Sequence, residues 1–244
     1  MTAQLALVLL TVSVLFGGLL VTILERSKNM RIIKLMLAFS GGFLLSIAFT
    51  HFIPELYESS DLNVGIYILV GFLVQLLLEF FSGGIEHGHI HAHKNAKVPV
   101  AMVVALSVHS LLEGIPLGAQ YVGIEIATSH HHSGESALLL GILLHQIPVG
   151  IALMTLLSVS PLSSMKSWGV LTLFALMSPI GMLIGMAQWS FMATINSDAI
   201  LAIVVGMFLH ISTTIIFETS ENHKFNFIKL VTIFGGCALA FIIH

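Results

Sequence analysis

The sequence predicts an all-α integral membrane protein, a bundle of eight transmembrane helices with both termini outside. Three observations carry that prediction. Of the 244 residues, 57% are hydrophobic and only 9% are charged, with a mean hydropathy of +1.01, whereas about a quarter of the residues of a soluble domain are charged. Apolar runs of the roughly twenty residues that cross a bilayer recur to the end of the chain, and none reads as a detachable leader. None alternates polar and apolar residues as a barrel strand must, so helices are the expected way to satisfy the backbone in lipid.

Polar breaks divide the chain into spans over about 3–24, 31–54, 63–82, 98–121, 136–159, 168–190, 199–218 and 226–243. Spans one and two are parted by Arg26, Lys28, Arg31 and Lys34, and spans two and three by Glu55, Glu58 and Asp61. Lys94 and Lys97 separate three from four, Glu125 and Glu135 four from five, and Lys166 five from six. Asp198 precedes span seven, and Lys224 and Lys229 bound span eight. All nine basic residues therefore fall on alternate connectors. Basic residues accumulate on the cytoplasmic side, which orients the chain and requires an even span count. The acidic outer mouth raises the local concentration of cations. The connectors are short, so residues 1–244 are expected to form one transmembrane domain, with a His-rich cytoplasmic loop over about 83–97.

Two other features narrow the function. Cys237 is the lone cysteine, which excludes a disulfide framework and a cysteine-based metal site. A net charge of -3 gives no argument for a nucleic-acid partner; the expected surroundings are a lipid bilayer.

Ionisable side chains within a span are costly and usually face a cavity or a pathway. The deepest here are His109 and Glu113 in span four, His145 in span five and His210 in span seven. His109 and Glu113 stand four residues apart and project from one helix face. At 1.5 Å per residue, His109 lies roughly 16 Å from the inner start of its span and His145 roughly 14 Å from the outer start of its own. Antiparallel packing can bring the two to one level near the midplane. Two imidazoles and a carboxylate suit a divalent first-row cation such as zinc. Pro116 and Pro148 free backbone carbonyls beside these ligands, and Gly114, Gly118, Gly141 and Gly150 are expected to let spans four and five approach closely. A single intramembrane histidine serves as readily as an interhelical hydrogen bond, but paired His motifs on consecutive spans favour a metal site. His210 stands alone and can equally lie beside a pathway.

These residues also carry a resemblance. "HSLLEGIPLGAQ" (109–120) paired with "HQIPVGIAL" (145–153) resembles the fourth- and fifth-span signature of the ZRT/IRT-like protein, or ZIP, family of divalent-metal transporters. "FSGGFLLSIAFTHFIPE", ending in His51, Pro54 and Glu55, is similar to the family's second span, and "SPIGMLIG" to its sixth-span proline segment. The resemblance implies that His109, Glu113 and His145 are ligands of the transport site. Ser110, Gln146 and Ser178 take the places of secondary metal contacts. Many prokaryotic relatives have Glu at the place of Val149, Asn or Asp at those of Ser110 and Gln146, and Glu at that of Ser178. The acids of a second metal are absent here, so one ion at the core is expected, held by a single formal negative charge and readily released.

The resemblance and the loops together suggest a route. His51 and Glu55 are expected to form an outer entrance, and His87, His89, His91 and His93 an inner acceptor or sensor, since His-rich tracts commonly bind metal. His130, His131 and His132 form an outer collector or an ordinary polar loop. Glu79 and Glu218 line the exit or reach toward water, with His210 a further pathway residue. The expected cargo is zinc, with iron, manganese, cobalt and cadmium open, moved toward the cytoplasm by alternating access; no cofactor is required. The rival is an intramembrane zinc metalloenzyme, disfavoured because the chain has no HExxH or GxSxG motif and no second acid deep beside the histidines. The expected location is the plasma membrane, and the resemblance admits a homodimer.

Overall fold

The computed structural model describes residues 1–23, 30–59, 63–82, 100–122, 132–187, 196–218 and 227–243, and among them there is no strand. In chain order the helices are α1 (Ala3–Ile23), α2 (Met30–Ile47), α3 (Ile53–Ser59), α4 (Val64–Ser82) and α5 (Val100–Tyr121). They continue as α6 (His132–Val159), α7 (Ser164–Ala175), α8 (Met177–Met186), α9 (Ser197–Glu218) and α10 (Phe227–Ile243). Among the described residues, seven spans are long and apolar enough to cross a membrane, and α10 is a shorter apolar helix. Its 17 residues reach about 26 Å at 1.5 Å per residue, near the lower limit for a bilayer core.

Among the described residues, two spans are interrupted as α-helices, each at a proline. In span two a π-helical turn over Ala48–Phe52 joins α2 to α3, with the Ile53 N–H donating to the Ala48 carbonyl. Pro54 follows directly and has no N–H to give the carbonyl four residues back, so the wider turn absorbs the mismatch. In span six Pro179 likewise removes a donor for Ala175, and α7 ends there while α8 begins at Met177. This span also starts at Ser164, four residues before the expected 168, because Ser163 in extended geometry already starts the helix.

Four helix pairs form the principal packing: α5 with α8, α2 with α10, α4 with α9 and α1 with α6. Each is closed by glycines that face the partner's backbone. A Cβ on Gly118 would stand 1.9 Å from the Met182 carbonyl oxygen, and one on Gly181 2.0 Å from that of Leu111. Gly71 and Gly206 do the same for α4 and α9, and Gly17 and Gly150 for α1 and α6. With lipid as apolar as leucine, such backbone proximity is what drives helix association.

The expectation that glycines join spans four and five is therefore corrected. Gly114 and Gly118 face α8, Gly150 faces α1, and Gly141 meets the side chains of Leu44 and Ile47 on α2. Helices α5 and α6 touch only lightly. Two of the three apolar clusters among the described residues draw on α5 and α6, one with Leu117, Ala119, Leu138, Leu139 and Ile142, the other with Met102, Leu106, Val149, Ala152 and Leu153. Both α5 and α6 contribute to each cluster, in opposite chain order. Between them, at the middle of both helices, lie the polar residues.

Candidate metal centre

His109, Glu113 and His145 come together. One ligand atom from each lies within 4.8 Å of the other two, and all three residues are buried. The His109 and His145 rings stand edge to face with centroids 6.0 Å apart. His109 Nε2 is 2.8 Å from Glu113 Oε1, a contact allowed by their separation of one helical turn.

The third span supplies a partner that sequence reasoning missed. His109 Nδ1 and Gln75 Oε1 lie 2.8 Å apart; an amide oxygen only accepts, so this contact is made with the hydrogen on Nδ1, and in the neutral ring Nε2 then turns its lone pair to Glu113. Two acceptors this close repel unless a cation, a proton or a metal ion, lies with them. The set of imidazole, carboxylate and imidazole is the one zinc takes in open, three-ligand sites, where the fourth position exchanges. Gln75 is wholly buried. Its signal was present in the sequence: it is the only amide in the run from Val64 to Ser82, and a polar group in a span is expensive.

Beside this cluster runs a neutral polar chain. Gln146 Nε2 donates to Ser110 Oγ at 3.5 Å, and Ser13 Oγ donates to Gln146 Oε1 at 3.2 Å. Ser110 and Gln146 thus bond across α5, α6 and α1. Ser178 is buried on α8, its hydroxyl without a hydrogen-bond partner among the described residues. Val149 lies one turn beyond His145 and is also buried.

The remaining predicted residues fall into two further places. His51 sits on the π-helical turn, 4% exposed, with Nδ1 3.5 Å from Glu55 Oε1. His210 on α9 pairs through Nε2 with Glu79 on α4, and its ring packs edge-on to Phe72 at 4.7 Å. His210 is therefore not solitary, and Glu79 is held within the bundle rather than extended to water. Glu79 stands four residues after Gln75, so one face of α4 carries both polar partners. None of these four ionisable residues belongs to the His109 group. His132 begins α6 and Glu218 ends α9, with side chains outside the described set; His87, His89, His91, His93, His130 and His131 lie outside the described residues.

Comparison with known proteins agrees with this architecture. The chain is 29% identical over 161 residues to Protein zntD of Dictyostelium discoideum, a match that covers 59% of this chain and 22% of that protein. This chain thus matches less than a quarter of the length of that relative. A family model described as ZIP zinc transporter matches residues 2–103 and 87–244, almost every residue present, and the chain belongs to that family.

Proposed function

We propose that this protein carries a divalent transition-metal cation, zinc foremost, across a membrane toward the cytoplasm. The observation that carries the reading is the convergence of His109, Glu113 and His145, buried and midway along two spans. Such a group is costly in a bilayer and needs a purpose. Membership of a zinc transporter family supports the same reading.

The chemistry follows from the donors. A hydrated cation is drawn from the acidic outer mouth past His51 and Glu55, loses water to the two imidazoles and the Glu113 carboxylate, and leaves on the side of the basic connectors. Apolar clusters lie on either side of the site, and in alternating access each opens in turn. One formal negative charge leaves a divalent ion undercompensated, which keeps the site weak enough to empty. The neutral Ser110, Gln146, Ser178 and Val149 support one ion at the core. All nine basic residues in alternate connectors support an even number of crossings with both termini outside, and the direction of transport toward the cytoplasm rests on family membership.

The test is radioactive zinc uptake by proteoliposomes holding wild type or His109→Ala, with iron, manganese, cobalt and cadmium as competitors. Uptake by wild type alone supports the reading, and the competitors rank the cargo. A wild-type protein that accumulates no metal while retaining zinc stoichiometrically would favour a fixed-metal intramembrane enzyme instead.

A further inference from the structure

Resting on the transport-site reading, we infer that Gln75 is a positioning residue for His109, and that its neutral amide sets how tightly the site holds its cation. Gln75 reaches the site from α4, a helix that supplies none of the three ligands. Among the described residues its side chain bonds to His109 Nδ1 alone, at 2.8 Å. With Nδ1 as the hydrogen-bond donor, the neutral ring keeps its lone pair on Nε2, and the bond holds the ring plane so that Nε2 faces Glu113. An imidazole that binds metal through one nitrogen is oriented and made more basic by an acceptor on the other.

The choice of acceptor matters for a carrier. A carboxylate at this place would pull harder on the Nδ1–H, donate more charge through the ring and hold the ion longer. An amide orients the ring with less polarisation, which suits a site that must release. An aliphatic side chain would fill the same space and leave the ring free to turn.

These alternatives give different orders of affinity. Zinc binding to the purified full-length protein is measured by equilibrium dialysis for wild type, Gln75→Leu, Gln75→Glu and His109→Ala, and uptake by proteoliposomes supplies KM and maximal rate. The quantity compared is the zinc binding that His109→Ala abolishes, which removes any contribution from the histidine-rich loops. Gln75→Leu is expected to weaken that component about 10–100-fold. Gln75→Glu is expected to bind at least as tightly as wild type, with a lower KM and a lower maximal rate because release slows. A purely structural role gives the reverse order, since leucine is at home in an apolar span and a buried carboxylate is not. Wild-type affinity in Gln75→Leu, or affinity in Gln75→Glu as weak as in Gln75→Leu, overturns the inference. Should Gln75→Leu not fold, Gln75→Met replaces it, and the glutamate variant decides independently. If His109→Ala binds zinc as wild type does, the ligand assignment itself falls, an outcome distinct from failure at Gln75.

Discussion

Toward α8, helix α5 presents Gly114 and Gly118, and backbone lies against backbone; toward α6 it presents His109, Ser110 and Glu113, and the two helices meet only lightly. The first face is dry and closed by shape alone. The second is held by a few polar atoms, including a long bond from Gln146 to Ser110. One helix thus belongs to a rigid pair and at the same time borders a seam where a cation can gain ligands and lose them. In a membrane, close packing of small residues supplies the association, so the polar face is free to serve chemistry instead of assembly.

The largest effect should come from breaking the dry face. A Cβ on Gly118 meets a carbonyl oxygen at 1.9 Å, and a backbone atom cannot rotate away as a side chain can. Gly118→Val is expected to cost about 3 kcal/mol, the upper part of the usual range for overpacking. Thermal unfolding in detergent without metal reads that loss, while His109→Ala should leave the same transition nearly in place. If the two variants unfold alike, the division of labour between the faces is wrong.

A smaller effect should come from protons on the polar face. Imidazoles bind metal only when neutral, so zinc affinity of the His109-dependent site should fall as the pH is lowered from neutral to mildly acid. The sign follows because protons and the cation compete for the same lone pairs. Zinc titrations at a series of pH values check it, and an affinity that rises on acidification would contradict the ligand set.

The smallest effect is expected at the mouth. His51→Ala with Glu55→Ala should reduce uptake severalfold at limiting zinc and leave the saturated rate unchanged, because an entrance raises encounter without touching the core ligands. Initial rates at two zinc concentrations separate this from a general loss. Equal reduction at both would assign the pair to the folding of span two, where His51 lies on the π-helical turn.

Much of this was legible in the chain, and the physical reason differs from place to place. Hydropathy located the eight spans because lipid leaves few alternatives to an apolar helix, and His109, Glu113 and His145 stood out because charge is rare there. Glycine spacing showed that close contacts exist but not with whom: Gly114 and Gly118 read as facing span five and in fact face α8. Helix periodicity assigns a face to a residue and is silent about which neighbour covers it. The π-helical turn before Pro54 was invisible because a proline marks a disturbed ladder without saying how the backbone mends it. Gln75 escaped because a single amide looks unremarkable beside histidines, and His210 looked solitary because its partner, Glu79, is distant in sequence.

Anomalous diffraction at the zinc edge from crystals of the zinc-loaded wild-type protein bears most directly on the central claim. The expected map holds one peak between α5 and α6, about 2.0–2.2 Å from a nitrogen of His109, a nitrogen of His145 and an oxygen of Glu113. Two fully occupied peaks there would contradict the single-ion core, and a map with no peak at these three side chains would remove the site from the transport path.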